Sequence, residues 1–161
     1  MKWRIKARFA PLAGLLLAVA LLGGCGGDYG PDQHGNPVSA KTLDKHWLVV
    51  NYWAVWCGPC RREIPELNAL SQSLQGQGVR VLGVNFDNLQ GEELSAAAQT
   101  LGIDFPVLAQ DPAPRFALPR SQGLPVTYII DDQGKLREQL MGEQTAAGIK
   151  ARLAALQGNG N

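Results

Sequence analysis

The residues Trp47-Leu48-Val49-Val50-Asn51-Tyr52-Trp53 form an aromatic and β-branched run with little alternation, and Cys57-Gly58-Pro59-Cys60 begins four residues after its end. A run of this kind suits a central strand buried on both faces. The cysteine pair is therefore delivered by a core strand. Beyond it Ile64, Leu67, Leu70 and Leu74 recur at helical spacing, which predicts a helix beginning at the pair and ended by Gly76 and Gly78. Val79 to Phe86 reads as a second buried strand. A helix from about Glu92 to Leu101 carries two acids in its first turn, where the macrodipole favours them. Pro106 to Leu108 predicts a short strand, and a brief helix is expected between Pro112 and Leu118. Val126 to Ile130 is a strand, Asp131 to Gly134 a turn, and Lys135 to Met141 a returning strand. The last helix runs from Thr145 to about Leu156, with Ile149, Leu153 and Leu156 on one face. Strand–helix–strand units followed by a hairpin and a helix give an α/β fold with a mixed sheet.

With 161 residues the chain is long enough for one domain with its own core. Its formal charge of +1 hides an asymmetry, because Lys2, Arg4, Lys6 and Arg8 all fall in the first 24 residues and no acid does. The remainder holds 11 basic and 14 acidic residues, a formal −3. A mildly acidic domain has no nucleic-acid footprint. The basic start precedes an apolar run from Phe9 to Leu22, shorter than the ~20 residues of a usual membrane span. Leu22-Gly23-Gly24-Cys25 resembles the bacterial lipobox, which implies that residues 1–24 are a lipoprotein signal peptide and that Cys25 carries the lipid. Several acyl chains anchor a protein stably where one alone is marginal. Residues 25–37, rich in glycine, are expected to form a lipidated tether. Ser39 is the expected N-cap of a short helix through about Lys45. The domain is placed at 38–157, with a disordered tail at 158–161.

Once Cys25 is assigned to lipid, Cys57 and Cys60 remain as a close pair in an oxidising compartment, which points to redox chemistry. Zinc sites use the same spacing but need two further ligands. The two histidines, His34 and His46, both lie upstream and are expected to be exposed polar residues, so no metal is expected. Thiol–disulfide exchange needs one thiolate and a second thiol to resolve the mixed disulfide. Cys57 at the helix N-terminus meets unsatisfied N–H groups that stabilise negative charge, and Pro59 has no N–H to lose there. Cys57 is thus expected to attack and Cys60 to resolve. Trp53 and Trp56 are expected to pack around the pair, Trp56 shielding the sulfur and offering partners an apolar patch. Arg61 and Arg62 are candidates for acidifying Cys57, with surface solvation the plainer explanation.

Asn51 to Cys60 resembles the active-site strand and turn of thioredoxins, Trp56, Gly58 and Pro59 forming the loop. The continuation Arg61-Arg62-Glu63-Ile64-Pro65-Glu66-Leu67 resembles more specifically the TlpA/ResA-type thioredoxins of the bacterial envelope. Gly123-Leu124-Pro125-Val126-Thr127-Tyr128-Ile129-Ile130-Asp131 resembles that family's cis-proline loop and following strand. The resemblance implies a thioredoxin fold, a mixed central sheet flanked by helices, with a helix–strand insertion between residues 91 and 109. It implies a cis bond before Pro125, a partner chain held by the backbone at Leu124, and no metal capture because proline lacks an N–H. Glu63 is implied in the acid–base chemistry of the thiols: a buried carboxylate with raised pKa could take the proton of Cys60. Two departures stand out. Asn51 replaces the buried Asp of cytoplasmic thioredoxins, which moves proton transfer to Glu63 or water. The family's opening hairpin is matched only over Asp32 to Ser39, so its first strand is expected to be replaced by the tether.

The functional expectation is a monomeric, cofactor-free reductase of disulfide-containing envelope proteins, re-reduced by a membrane electron donor of the DsbD/CcdA kind. Its Gly-Pro dipeptide matches thioredoxin, near roughly −270 mV, rather than oxidants near roughly −120 mV. Three alternatives are weaker. Thioredoxins of cytochrome c maturation place a glutamate where this chain has Val126. Sco-type copper carriers need a downstream histidine, and none follows His46. Peroxiredoxins need a Pro-x-x-x-Thr-x-x-Cys pattern, which is absent. Gly26, rather than Asp, after the lipidated cysteine favours a periplasm-facing anchor in the outer membrane over the inner.

Overall fold

The apolar run at Trp47–Trp53 becomes the centre of a five-stranded sheet in the computed structural model, which describes residues 28–158. In chain order the elements are β1 (Asp28–Pro31), β2 (Pro37–Ser39), α1 (Ala40–Leu43), β3 (Trp47–Trp53), α2 (Gly58–Ser73) and β4 (Val79–Asn85). They continue with α3 (Gly91–Leu101), β5 (Val107–Leu108), α4 (Ala113–Phe116), β6 (Val126–Ile130), β7 (Leu136–Met141) and α5 (Ala146–Gly158). The sheet order is β5-β4-β3-β6-β7. β3 pairs in parallel with β4 and antiparallel with β6, so the sheet is mixed, as expected.

Alternation along β3 divides the core into two layers. Val49 and Trp53 pack with Ile64, Leu67 and Leu70 of α2 and with Ile149 and Leu153 of α5. Leu48, Val50 and Tyr52 face the other way, against Leu43, Leu82 and Tyr128. Asn51 shares the α2 side with Val49 and Trp53, and this places a polar side chain beneath the cysteine helix. Gly83 sits opposite Asn51 on β4. A Cβ there would meet the Trp53 indole nitrogen at 3.0 Å and Phe105 and Val107 at 3.1 Å, so only glycine lets the indole lie against β4.

The N-terminal expectation is corrected. Residues from Asp28 onward are not tether: β1 pairs antiparallel with β2, Asp28 opposite Ser39 and Pro31 opposite Pro37. The turn between them is held by Asp32, whose Oδ1 accepts the N–H groups of His34 and Asn36, both at 2.8 Å. Tyr29 is buried in the second layer. The hairpin also closes the sheet edge. Gln33 donates to the Phe105 carbonyl at 2.9 Å and accepts the Val107 N–H at 2.7 Å, and Asp32 bridges Leu108. A free edge of this kind otherwise invites pairing with another chain.

Smaller corrections concern helix ends. α1 stops at Leu43, because Asp44 turns extended with ψ 140° and Lys45 follows at φ 62°, and Ser39 makes no side-chain cap although it precedes the helix. α5 extends to Gly158, so the helix takes in the first residue of the expected tail, and Thr145 Oγ1 accepts the Gly148 N–H at 3.1 Å at its start. Leu156 is partly buried against the core. The signal peptide at 1–24, Cys25, Gly26 and the tail residues 159–161 lie outside the described residues. Among the described residues no helix is long and apolar enough to cross a membrane.

Candidate active site

The end of β3 and the start of α2 set the cysteine geometry. After Ala54, whose carbonyl accepts the Cys57 N–H at 3.1 Å, the backbone turns and Cys57 takes an extended conformation as the N-cap of α2. Pro59 occupies the first turn. The Cys60 N–H points back and donates to Cys57 Sγ at 3.1 Å. One orphan donor of the helix start is thereby aimed at the first sulfur, and it stabilises that sulfur most when it is a thiolate. The two cysteines form a disulfide with a Cα separation of 5.3 Å. Cys57 retains 4% exposure and Cys60 none.

Trp56 stands outward, 66% exposed. Its indole N–H donates to the Asp87 carboxylate at 2.9 and 3.2 Å, and its ring meets Phe86 edge to face at 6.3 Å. The two aromatics make an exposed patch beside the cysteine loop, while Trp53 is buried in the core. Arg61 donates to the Val55 carbonyl at 2.9 Å and Arg62 pairs with Glu143. Both guanidinium groups have partners other than the sulfurs.

One turn beyond Cys60, Glu63 is 1% exposed. Its Oε2 accepts the Asn51 amide at 3.1 Å, and its Oε1 accepts the Gln144 N–H at 3.1 Å. The same Asn51 nitrogen donates to Thr127 Oγ1 at 3.0 Å. Burial pushes the Glu63 pKa up to about 7; its two donors hold it back, and the charge of Glu143 adds to the rise. A carboxylate poised near neutrality can exchange a proton with a thiol.

The Leu124–Pro125 bond is cis. The Pro125 carbonyl accepts the Gly142 N–H at 2.9 Å, and Val126 lies opposite Tyr52 on β3. The cis-proline thus lies at the end of the sheet where β3 hands the chain to the cysteines. His34 is exposed and His46 half-buried, and among the described residues no three His, Cys, Asp or Glu side chains cluster as a metal site.

Fold and site bring together Cys57, Cys60 and Glu63 on α2 with Asn51 on β3. Sequence reasoning missed Thr127 and Gln144 as partners of Asn51 and Glu63, Glu143 as a charge near Glu63, and Asp87 as the partner of Trp56. Gln144 meets Glu63 across 81 positions of sequence, and nothing local marks it.

The sequence matches the AhpC/TSA family over residues 29–139, a span that begins within the opening hairpin. It is 31% identical over 123 residues to the thiol-disulfide oxidoreductase ResA of Bacillus thuringiensis (strain Al Hakam), covering 76% of this chain and 70% of that protein. It is 30% identical over 118 residues to the thiol:disulfide interchange protein HelX of Rhodobacter capsulatus, covering 73% of this chain and 64% of that one. The fold superposes with a TM-score of 0.67 on a thioredoxin-family thiol:disulfide interchange protein from Chlorobium tepidum, 25% identical, over 81% of this chain and 92% of the other. A helix-capping cysteine bonded to its partner one turn on is the chemistry those relatives are named for, and the chain belongs to the AhpC/TSA family as a thiol–disulfide oxidoreductase of thioredoxin fold.

Proposed function

We propose that this oxidoreductase works as a reductase of disulfides in bacterial envelope proteins, with Cys57 as nucleophile, Cys60 as resolving thiol and Glu63 as proton carrier. The observation that carries the assignment is the Cys60 N–H aimed at Cys57 Sγ, at 3.1 Å, which favours charge on the first sulfur alone. In the reduced protein the Cys57 thiolate attacks one sulfur of the partner's disulfide, and the partner's other sulfur leaves as a thiolate. Cys60 gives its proton to the Glu63 carboxylate, and its thiolate attacks Cys57 Sγ. The second partner sulfur leaves, takes a proton, and the Cys57–Cys60 disulfide remains. Two electrons pass from the enzyme dithiol to the partner. A membrane electron donor of the DsbD/CcdA kind returns them.

The Trp56–Phe86 patch and the backbone at Leu124, before cis-Pro125, are the proposed partner-binding surface. Lipid on Cys25, made the first residue by removal of a signal peptide over 1–24, would hold the domain to the periplasmic face of a membrane, the outer one favoured by Gly26. The Gly58-Pro59 dipeptide supports the reducing direction. Equilibration with glutathione tests it: a potential near roughly −270 mV is expected, and one above about −150 mV would contradict a reductase. The Cys60→Ser variant, expressed in cells, is expected to accumulate mixed disulfides through Cys57 with its envelope partners. Normal turnover by that variant would overturn the division of roles.

A further inference from the structure

Asn51 is fully buried, yet only one end of its amide is used. Its nitrogen donates to Glu63 Oε2 and to Thr127 Oγ1, while its oxygen has no partner. An unpaired buried acceptor is costly and rare enough to need a reason. The three groups span three elements. Glu63 is on α2, Asn51 on β3 and Thr127 on β6, opposite Asn51 in register.

The present arrangement suits an ionised Glu63, which can only accept. A protonated Glu63 brings an O–H that must find an acceptor, and the Asn51 nitrogen cannot serve. The idle Asn51 oxygen can. A half-turn of the amide about its Cβ–Cγ bond would exchange the two ends. The oxygen would then accept from the Glu63 O–H and from the Thr127 hydroxyl, which rotates to donate. Each state keeps two hydrogen bonds, the oxygen left unpaired when Glu63 is ionised and the NH2 when it is protonated, so Asn51 offers Glu63 a partner in both.

We propose that Asn51 is a positioning residue for both protonation states of Glu63, its amide reversing end for end as the carboxyl gains or loses its proton. The inference deepens the assignment of Glu63 as proton carrier and rests on it. It also gives a physical reason for Asn at this place. An Asp would put a second carboxylate beside the first and force the two to share a proton. A leucine would leave Glu63 without a partner from β3 in either state. The other groups around Glu63 come from three elements, and Cys60 holds no proton in the oxidised protein because it is bonded to Cys57. Cys60, Arg62 and Glu66 neighbour it on α2, and Glu66 accepts the Ala146 N–H. From the turn between β7 and α5 come the Gln144 N–H and Glu143, the latter paired with Arg62. β6 offers neutral Thr127. A Glu63 pKa near 7 means that both states are populated at neutral pH.

The test is NMR on the oxidised full chain, labelled with ¹³C at the glutamate carboxyl and ¹⁵N at the asparagine side chain, from pH 5 to 9. The Asn51 amide resonances are expected to shift with the same midpoint as the Glu63 carboxyl carbon. Cross-relaxation from the Asn51 amide protons to the Thr127 side chain should fade toward low pH. A titrating Glu63 carboxyl beside an unmoved Asn51 amide would overturn the amide reversal and leave the proton carrier standing. A carboxyl that stays flat across the range would overturn both. Asn51→Leu supplies a second reading. Because both states lose a partner, the Glu63 midpoint should move by less than about half a unit, roughly threefold in equilibrium. An upward move of more than about one unit would show that Asn51 serves the ionised state alone.

Discussion

Two places on one helix, nearly two turns apart, are tuned by different parts of the protein. At the N-cap of α2 the main chain acts on Cys57: the Cys60 N–H reaches its sulfur, and the nearby arginines are bonded elsewhere. At Glu63 the side chains and turns of other elements act, through Asn51 from β3, Gln144 from the β7–α5 turn, and the charge of Glu143. The environment of Cys57, the proposed nucleophile, is therefore built into the helix start, and substitutions around it should change it little. The environment of Glu63, the proposed proton carrier, is assembled from distant residues and should respond to each of them. A fold of this kind can keep its nucleophile fixed while its proton chemistry is adjusted from outside the helix.

Removing the sulfur itself is the largest perturbation on the first side. Cys57→Ser should reduce disulfide exchange to the uncatalysed background in an insulin-reduction assay, with the fold intact by circular dichroism. Detectable turnover through Cys60 would show that main-chain tuning does not distinguish the sulfurs.

On the second side, Glu63→Gln should slow resolution of the mixed disulfide by about 100-fold, the scale of general acid–base catalysis, while initial attack by Cys57 continues. Stopped-flow kinetics separates the two steps. The same variant tests burial. Folded Glu63 titrates near 7 against an ordinary value of 4.5, so between those pH values the folded chain holds more protons than the unfolded one. Stability contributed by this group is full below about pH 4.5 and falls as pH rises toward 7, by on the order of 3 kcal/mol. In Glu63→Gln that decline should vanish from urea unfolding of the oxidised protein between pH 4.5 and 8.

The smallest effects come from the rim. Glu143→Gln removes an anion that favours the protonated form, so the Glu63 midpoint should fall. Arg62→Ala leaves that anion uncompensated, so the midpoint should rise. Both shifts should be about 0.3 unit, since the pair is exposed and screened. Equal shifts in one direction would deny that Glu143 acts on Glu63 through its charge.

The same contrast explains what could be read from sequence. β3 and α2 were legible because an apolar run and a helical stripe of leucines are local patterns, and the role of Pro59 follows from the first turn of a helix. Glu63 was legible through the resemblance of the stretch after Cys60 to the TlpA/ResA-type thioredoxins. Its partners were not, because Gln144 and Thr127 reach it through the sheet and a turn and carry no periodic signal. β1 was hidden for another reason. Gly30 and Pro31 dominate its four residues and read as tether, whereas its ordering comes from Tyr29 entering the second layer and Gln33 bonding the backbone beside β5. Those are long-range contacts, and only the folded sheet reveals them.

The central claim is that the two cysteines differ, the first reactive and the second withheld. Reduced protein treated with substoichiometric iodoacetamide at pH 7, then digested and analysed by mass spectrometry, tests this directly. The label is expected on Cys57 almost alone, because the Cys60 N–H is aimed at that sulfur and Cys60 is fully buried. Equal labelling of the two, or labelling first at Cys60, would contradict it.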